Sequence, residues 1–365
     1  MRRHLLLPAL ALIGVCSCKK IHNPGSGSEV NAFTGWTEQS YVLVGEDLYA
    51  NGSNLYGQLG LGNTTNVTTF TLTMTGVTTV SSNLFYTLVL KKDGSVWAAG
   101  LDTAGQFGDG TTDNATSWRQ VMTGVKAISS GMGESLFIKT DNSLWGGGSD
   151  LPWAGFTPHK LMDDVLSVSA GTGAAMIVKT DNTLWSVGAN IDWQLGDGTL
   201  DDHPVPVQVM SGVLSASMST YHALILKTDH TLWAVGDNGA GQLGTGDENT
   251  AVNPVQVLTD VVAFSSGPTN AIAIRSDSTV WMTGDNFAGE LGDGFGGPTG
   301  KEQRIDAFKQ VLTGAKSVSM TDQFVMVVKR DNTVWVAGDN AYGQLGFPAA
   351  SDPEILAFTQ MPMHF

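Results

Sequence analysis

Seven histidines, two cysteines and 34 acidic residues are the groups from which this 365-residue chain could assemble an active site. A zinc centre needs imidazoles or thiolates at short, fixed spacing. His4, His22, His159, His203, His222, His230 and His364 show no such pairing and share no recurring position. Calcium needs a dense set of oxygen ligands around a tight turn. The Gly-Asp-Gly segments at 108–110, 196–198 and 292–294 offer the turn with one acid each. The pairs Asp163-Asp164 and Asp201-Asp202 would suit glycoside hydrolysis only with a partner carboxyl across the sugar, and adjacent carboxylates on a strand point to opposite faces. Neither a Gly-x-Ser-x-Gly elbow nor a Walker-type phosphate loop occurs. These residues predict no catalytic group, no metal and no cofactor, and so a non-enzyme.

The two cysteines have a different use. Arg2 and Arg3 precede an apolar run from Leu5 to Val15, too short to span a bilayer, which ends in Val15-Cys16-Ser17-Cys18. This resembles a bacterial lipoprotein signal, in which a small residue precedes the acylated cysteine. The expectation is a signal at 1–17, a lipid anchor on Cys18 and no remaining thiol. A polar tether rich in Gly, Ser and Asn follows at 18–29. The implied location is the bacterial cell envelope, as an outer-membrane lipoprotein facing the periplasm or the surface. The formal charge of −15 becomes −17 without Arg2 and Arg3, which opposes nucleic-acid binding but would attract a basic protein or a cation.

Self-comparison reveals what positions the remaining residues. Trp recurs at 97, 145, 185, 233, 281 and 335, with Tyr49 in the same slot before them; successive intervals are 48, 48, 40, 48, 48 and 54 residues. In the fifth copy, His222–Leu226 and Leu232–Gly236 have the two-residue period of strands, joined at Asp229-His230. The counterparts Asp93-Gly94, Asp141-Asn142, Asp181-Asn182, Asp277-Ser278 and Asp331-Asn332 are hairpin chemistry, because the second position often needs positive φ. Pro254–Val257 and Val261–Ser265 supply a third and a fourth strand. Four strands repeated seven times predict an all-β, seven-bladed propeller over 30–365. The last copy lacks its fourth strand, so Val30–Gly35 is expected to pair with it and close the ring.

The same motifs resemble the regulator of chromosome condensation repeat family: Trp-x-x-Gly-Asp-Asn followed by Gly-Gln-Leu-Gly at 57–60, 241–244 and 343–346, with variants at 105–108, 193–196 and 289–292. The resemblance covers about residues 30–365 and is weakest in the third copy. It implies the propeller fold and structural roles for the repeated Gly, Gln, Leu and Trp. Eukaryotic relatives are nucleotide-exchange factors on chromatin, but this acidic chain lacks a basic tail. A secreted bacterial relative grips a protein through its face loops, and only that mode carries over.

Specificity on a symmetric scaffold must come from unequal loops. Tyr56, Trp153, Trp193, Phe287 and Tyr342 all fall between the second and third strands of their copies, as does an insertion from Gly294 to Gln303 with Pro298 and Lys301. They should therefore emerge on one face. The expected function is recognition of a protein partner at the envelope by a monomeric, anchored propeller. Alternatives are a carbohydrate-binding or carbohydrate-processing surface protein and a structural spacer without a selective ligand.

Overall fold

The computed structural model describes residues 29–35, 38–151, 155–296 and 304–362. Cys18, the signal segment, Trp153, Pro298 and Lys301 lie outside them. Among the described residues every regular element is a strand, and the 28 strands form seven four-stranded antiparallel sheets. The first sheet contains β1 (Val30–Gly35), β2 (Gln39–Val44), β3 (Asp47–Gly52) and β4 (Val67–Thr75). The others run from β5 (Val77–Ser82) to β8 (Ala115–Met122), β9 (Val125–Ser130) to β12 (His159–Met162) and β13 (Val165–Ala170) to β16 (His203–Ser211). Three more follow: β17 (Val213–Met218) to β20 (Ala251–Leu258), β21 (Val261–Ser266) to β24 (Arg304–Thr313) and β25 (Ala315–Met320) to β28 (Glu354–Gln360).

The first strands of consecutive sheets touch in order, and β25 returns to β1, so the sheets are the blades of a closed seven-bladed propeller. The core lies between blades rather than inside one. Each of seven apolar clusters draws on two neighbouring blades. The second strand of each blade is buried on both sides, which is why segments such as Leu88-Val89-Leu90 read as continuous apolar runs. Each such side chain contributes about 1.5–3 kcal/mol of burial.

A row of hydroxyls ties the inner strands together. Ser81 Oγ accepts from Ser130 N at 2.9 Å, Ser129 Oγ from Ala170 N at 2.9 Å and Ser169 Oγ from Met218 N at 2.9 Å. Ser265 Oγ accepts from Met320 N at 3.3 Å. Hydroxyl acceptors here supply partners for backbone donors that face across a seam rather than along a sheet.

One sequence expectation needs correction. Val30–Gly35 does form a strand at the seam between first and last blades, but its hydrogen bonds go to β2, with Val30 opposite Val44 and Gly35 opposite Gln39. It seals the ring by side-chain packing, not by completing the last sheet. The strand taken as fourth in each copy is in fact the first of the next blade. Turn chemistry decides this. Gly267 N bonds Asn270 O at 3.0 Å, closing a tight turn that pairs Val261–Ser266 with the strand after it. Asp260, at φ 60°, instead swings the chain across the seam.

Candidate functional site

Antiparallel order fixes which loops share a face. The long loops joining third to fourth strands begin against the turns joining first to second strands: Leu101 N bonds Phe85 O at 2.9 Å, and Asp237 N bonds Tyr221 O at 3.0 Å. The Asp-Asn hairpins lie at the opposite end, with the links between blades; Val213 N bonds Asn182 O at 2.9 Å. The first set surrounds the opening of the central channel and is called the mouth face; the second is the hairpin face.

Five of the seven long loops fold around a buried asparagine, at 54, 190, 238, 286 and 340. Asn238 Oδ1 accepts from Leu243 N at 2.9 Å while its Nδ2 donates to Asp247 O at 2.7 Å. Gln242 Oε1 accepts from Ala240 N at 2.8 Å, and its Nε2 donates to Asp237 at 2.7 Å. Leu243 is fully buried. A side chain at Gly244 would collide with Phe308 of the next blade, so the second glycine lets the loop lie on that ring. On the hairpin face Asp229 accepts from the nitrogen and hydroxyl of Thr231, and that hydroxyl accepts from Trp233 Nε1 at 2.8 Å. Lys227 Nζ sits 5.2 Å from the Trp233 ring centre. The repeated Gly, Gln, Leu and Trp are therefore scaffold.

The histidines are scattered. His159 is exposed, His230 sits in a hairpin at φ 65°, and His203 Nε2 lies 2.5 Å from Asp197. His222 is buried, which pushes its imidazole down to about 4 and keeps it neutral. Among the described residues no three metal-ligating groups converge. Asp163 and Asp164 sit in a link between blades, and Asp202 accepts from Asn190 N at 2.8 Å. In the Gly-Asp-Gly turns, Asp109 and Asp197 accept from Thr111 N and Thr199 N.

Tyr56, Trp193, Phe287 and Tyr342 all lie in mouth-face loops; Trp153 is outside the described residues. Tyr56 and Phe287 are 37% and 56% exposed, while Trp193 and Tyr342 are half-buried. Tyr56 packs edge-on against Phe85 of the next blade, ring centres 5.4 Å apart. Trp193 has φ 57° in the slot where Gly57, Gly105, Gly241, Gly289 and Gly343 stand, a strained conformation for a bulky residue. Sequence reasoning missed several neighbours because they are not aromatic or not in long loops. Leu55, Ile191, Leu200 and Tyr221 are also exposed there, as are Phe156 and Phe295. Eight of the twelve exposed large apolar side chains are in mouth-face loops, the other four are on outer strands, and none is on the hairpin face.

Inside this rim opens a cavity of about 80 Å³ lined by the ends of the inner strands and their turns, from Ser81 to Asp322. Its walls are hydroxyls, backbone and two methionines, with Asp322 the one charged lining residue. Charge is divided between faces. Lys91, Lys139, Lys179, Lys227, Arg275 and Lys329 end the second strands and so stand on the hairpin face. The described cations reaching the mouth face are Arg119, Arg304 and Lys309, each engaged by acids that include Asp109, Glu248, Asp306 and Asp293.

The model of the regulator of chromosome condensation (RCC1) repeat matches residues 315–344, the first three strands of the last blade and the start of its loop. No curated protein matches the sequence. Among solved structures, yeast RCC1 (Prp20), determined with Kap60 bound, superposes with a TM-score of 0.78 at 16% identity, over 95% of this chain and 90% of that one. Prp20p from Saccharomyces cerevisiae, described with its binding to Gsp1p and histones, gives 0.74 at 15% identity over 92% and 88%. Human WBSCR16 gives 0.75 at 15% identity over 87% and 94%. The chain is thus a seven-bladed propeller with the fold of these proteins, and its last blade carries a regulator of chromosome condensation repeat at 315–344.

Proposed function

We propose that this propeller is a binding protein rather than an enzyme, a monomer anchored to the bacterial envelope through Cys18, whose mouth-face loops grip a protein partner. One observation carries the reading: exposed apolar side chains in loops are confined to the mouth face, and the hairpin face has none among the described residues. Solitary exposed apolar groups are ordinary, but their segregation around a concave opening marks an interaction surface. Ile191 at 71% exposure and Phe287 at 56% gain the most from being covered. Anchoring at the N-terminus leaves the mouth face accessible to a partner, since β1 begins at Val30, opposite Val44 at the hairpin-face end of its blade.

The test is affinity capture from envelope extract with a triple variant, Tyr56→Ala, Trp193→Gly and Phe287→Ala. Trp193→Gly restores the residue that the backbone there prefers, so the variant should remain folded. It is expected to lose, by more than tenfold, a partner that the native protein retains. Undiminished capture would remove the mouth face from the reading.

A further inference from the structure

The inner rim of the mouth carries carboxylates that make no ion pair among the described residues. Glu38 faces Asp339 across the seam between first and last blades, Asp192 faces Asp237 across the next blade's boundary, and Asp285 faces Asp322 likewise. Glu134 and Asp150 stand side by side within the third blade. Among the described residues none of these eight makes an ion pair; the cations of this face are taken by the outer loops. A propeller already at −15 gains nothing from placing like charges beside one another.

A second, independent feature points inward. Glu134 is fully buried, its Oε1 has no hydrogen-bond partner, and it packs against Gly131 beside Gly171 O; both glycines line the cavity. The hydroxyls of Thr172 and Thr220, bonded to each other at 3.2 Å, line the same opening and can accept hydrogen bonds there. Tyr56, Tyr221 and Phe287 stand exposed around it.

We infer that the mouth receives an arginine-rich segment of a polypeptide partner, its guanidinium groups neutralising the inner carboxylates and stacking on the flanking aromatic rings. This rests on the mouth face being the partner surface and specifies what the partner brings to it. Arginine fits better than lysine because a planar guanidinium both pairs with carboxylates and stacks on aromatic faces. A bare divalent ion does not fit: no three ligating groups converge among the described residues, and an ion makes no use of the apolar rim.

A fluorescein-labelled Arg-Gly repeat peptide of twelve residues is the probe, with a Glu-Gly repeat as its charge-reversed control, read by anisotropy at 50 mM salt. The native protein should bind the first and not the second. Combining Asp150→Asn, Asp192→Asn and Asp322→Asn should weaken binding by about tenfold, at a few tenths of a kcal/mol to 1 kcal/mol per exposed pair. Asp163→Asn, Asp164→Asn and Asp260→Asn change net charge equally on the hairpin face and should weaken it less than twofold. Equal weakening by both sets means attraction by net charge alone and overturns the assignment, as does no weakening by either. Displacement of the peptide by stoichiometric calcium chloride would overturn it too, as evidence of a metal site. If the native protein ignores the peptide while the aromatic triple variant still loses its envelope partner, the surface stands and its charge assignment falls.

Discussion

Asp102 occupies a slot that asparagine fills at Asn54, Asn190, Asn238, Asn286 and Asn340. Its Oδ1 does the work of those amides, accepting from Phe107 N at 2.8 Å, but its Oδ2 stands where they present a donor and has no partner. Burial, with Asp109 and Asp113 nearby and only partly offset by the Phe107 nitrogen and Arg119, pushes the carboxyl up to about 7. Glu290, in the glutamine slot of its loop and raised by burial, repeats this substitution of acid for amide. A carboxyl raised on folding favours the protonated native state, so its contribution is fully present below the ordinary carboxylate value. That contribution is lost as pH climbs towards about 7 for Asp102. Asp102→Asn supplies the missing donor at every pH. Urea unfolding should show it more stable than the native chain at pH 8, by about 1–3 kcal/mol, with little difference at pH 4. A variant no more stable at pH 8 would mean that Asp102 already has a donor partner. The sequence contained this signal, since Leu-Asp stands where five other copies have Asp-Asn, Ala-Asn or Ser-Asn. It was unreadable without knowing that the slot is buried.

At the scale of one element, the hairpin shows how a motif can be legible in outline and hidden in detail. Positive φ at Asn142, Asn182, His230, Ser278 and Asn332 agrees with what Asp-Asn and its variants imply. The chain of bonds behind it does not follow from turn propensity: carboxylate to Thr hydroxyl, hydroxyl to indole nitrogen, and a cation over the indole at Lys139, Arg275 and Lys329. Tryptophan therefore keeps its slot for a polar contact as well as for bulk. In the fifth blade Thr231→Val keeps the shape and β-preference but leaves Trp233 Nε1 without its acceptor and Asp229 without one of its two donors. A loss of about 1 kcal/mol is expected, and Thr231→Ser should restore it. Thermal unfolding of the two variants checks this; equal melting of Val and Ser variants would reduce the network to packing. Strand phase was the element-level miss. A repeat read from sequence has a period but no origin, and both neighbours of Val261–Ser266 are within turn distance.

For the whole molecule, that phase determines how the ring is held shut. Every blade is a continuous stretch of chain, so the seam between last and first blades has no shared sheet and must be closed by side chains. Val30, Ala32 and Val42 meet Phe324, Met326 and Val336 there, with Leu345 and Met361. Ser40 Oγ donates to Gln344 O at 2.5 Å, and Asn51 Nδ2 to Gly343 O at 2.7 Å. The seam is thus built like the other six, and β1 matters as the inner strand of its own blade as well as the cover of the last one. Blade number, face assignment and apolar pattern were readable because a repeated sequence reports them seven times over. How the ring closes was not readable, because a period without an origin leaves the strand phase open. Two truncations separate these roles. Removing 19–28, the proposed tether, should leave the melting temperature unchanged. Removing 19–35 also takes β1, exposing the β2 edge and losing the burial of Val30, Ala32 and Phe33, and at 1.5–3 kcal/mol for each large side chain should cost about 5 kcal/mol. Unfolding of the longer truncation should lose cooperativity at the first and last blades first, seen as early amide exchange in 39–52 and 324–338 while the middle blades stay protected. Uniform exchange across all blades would show that the ring opens as one unit and that no single seam governs it.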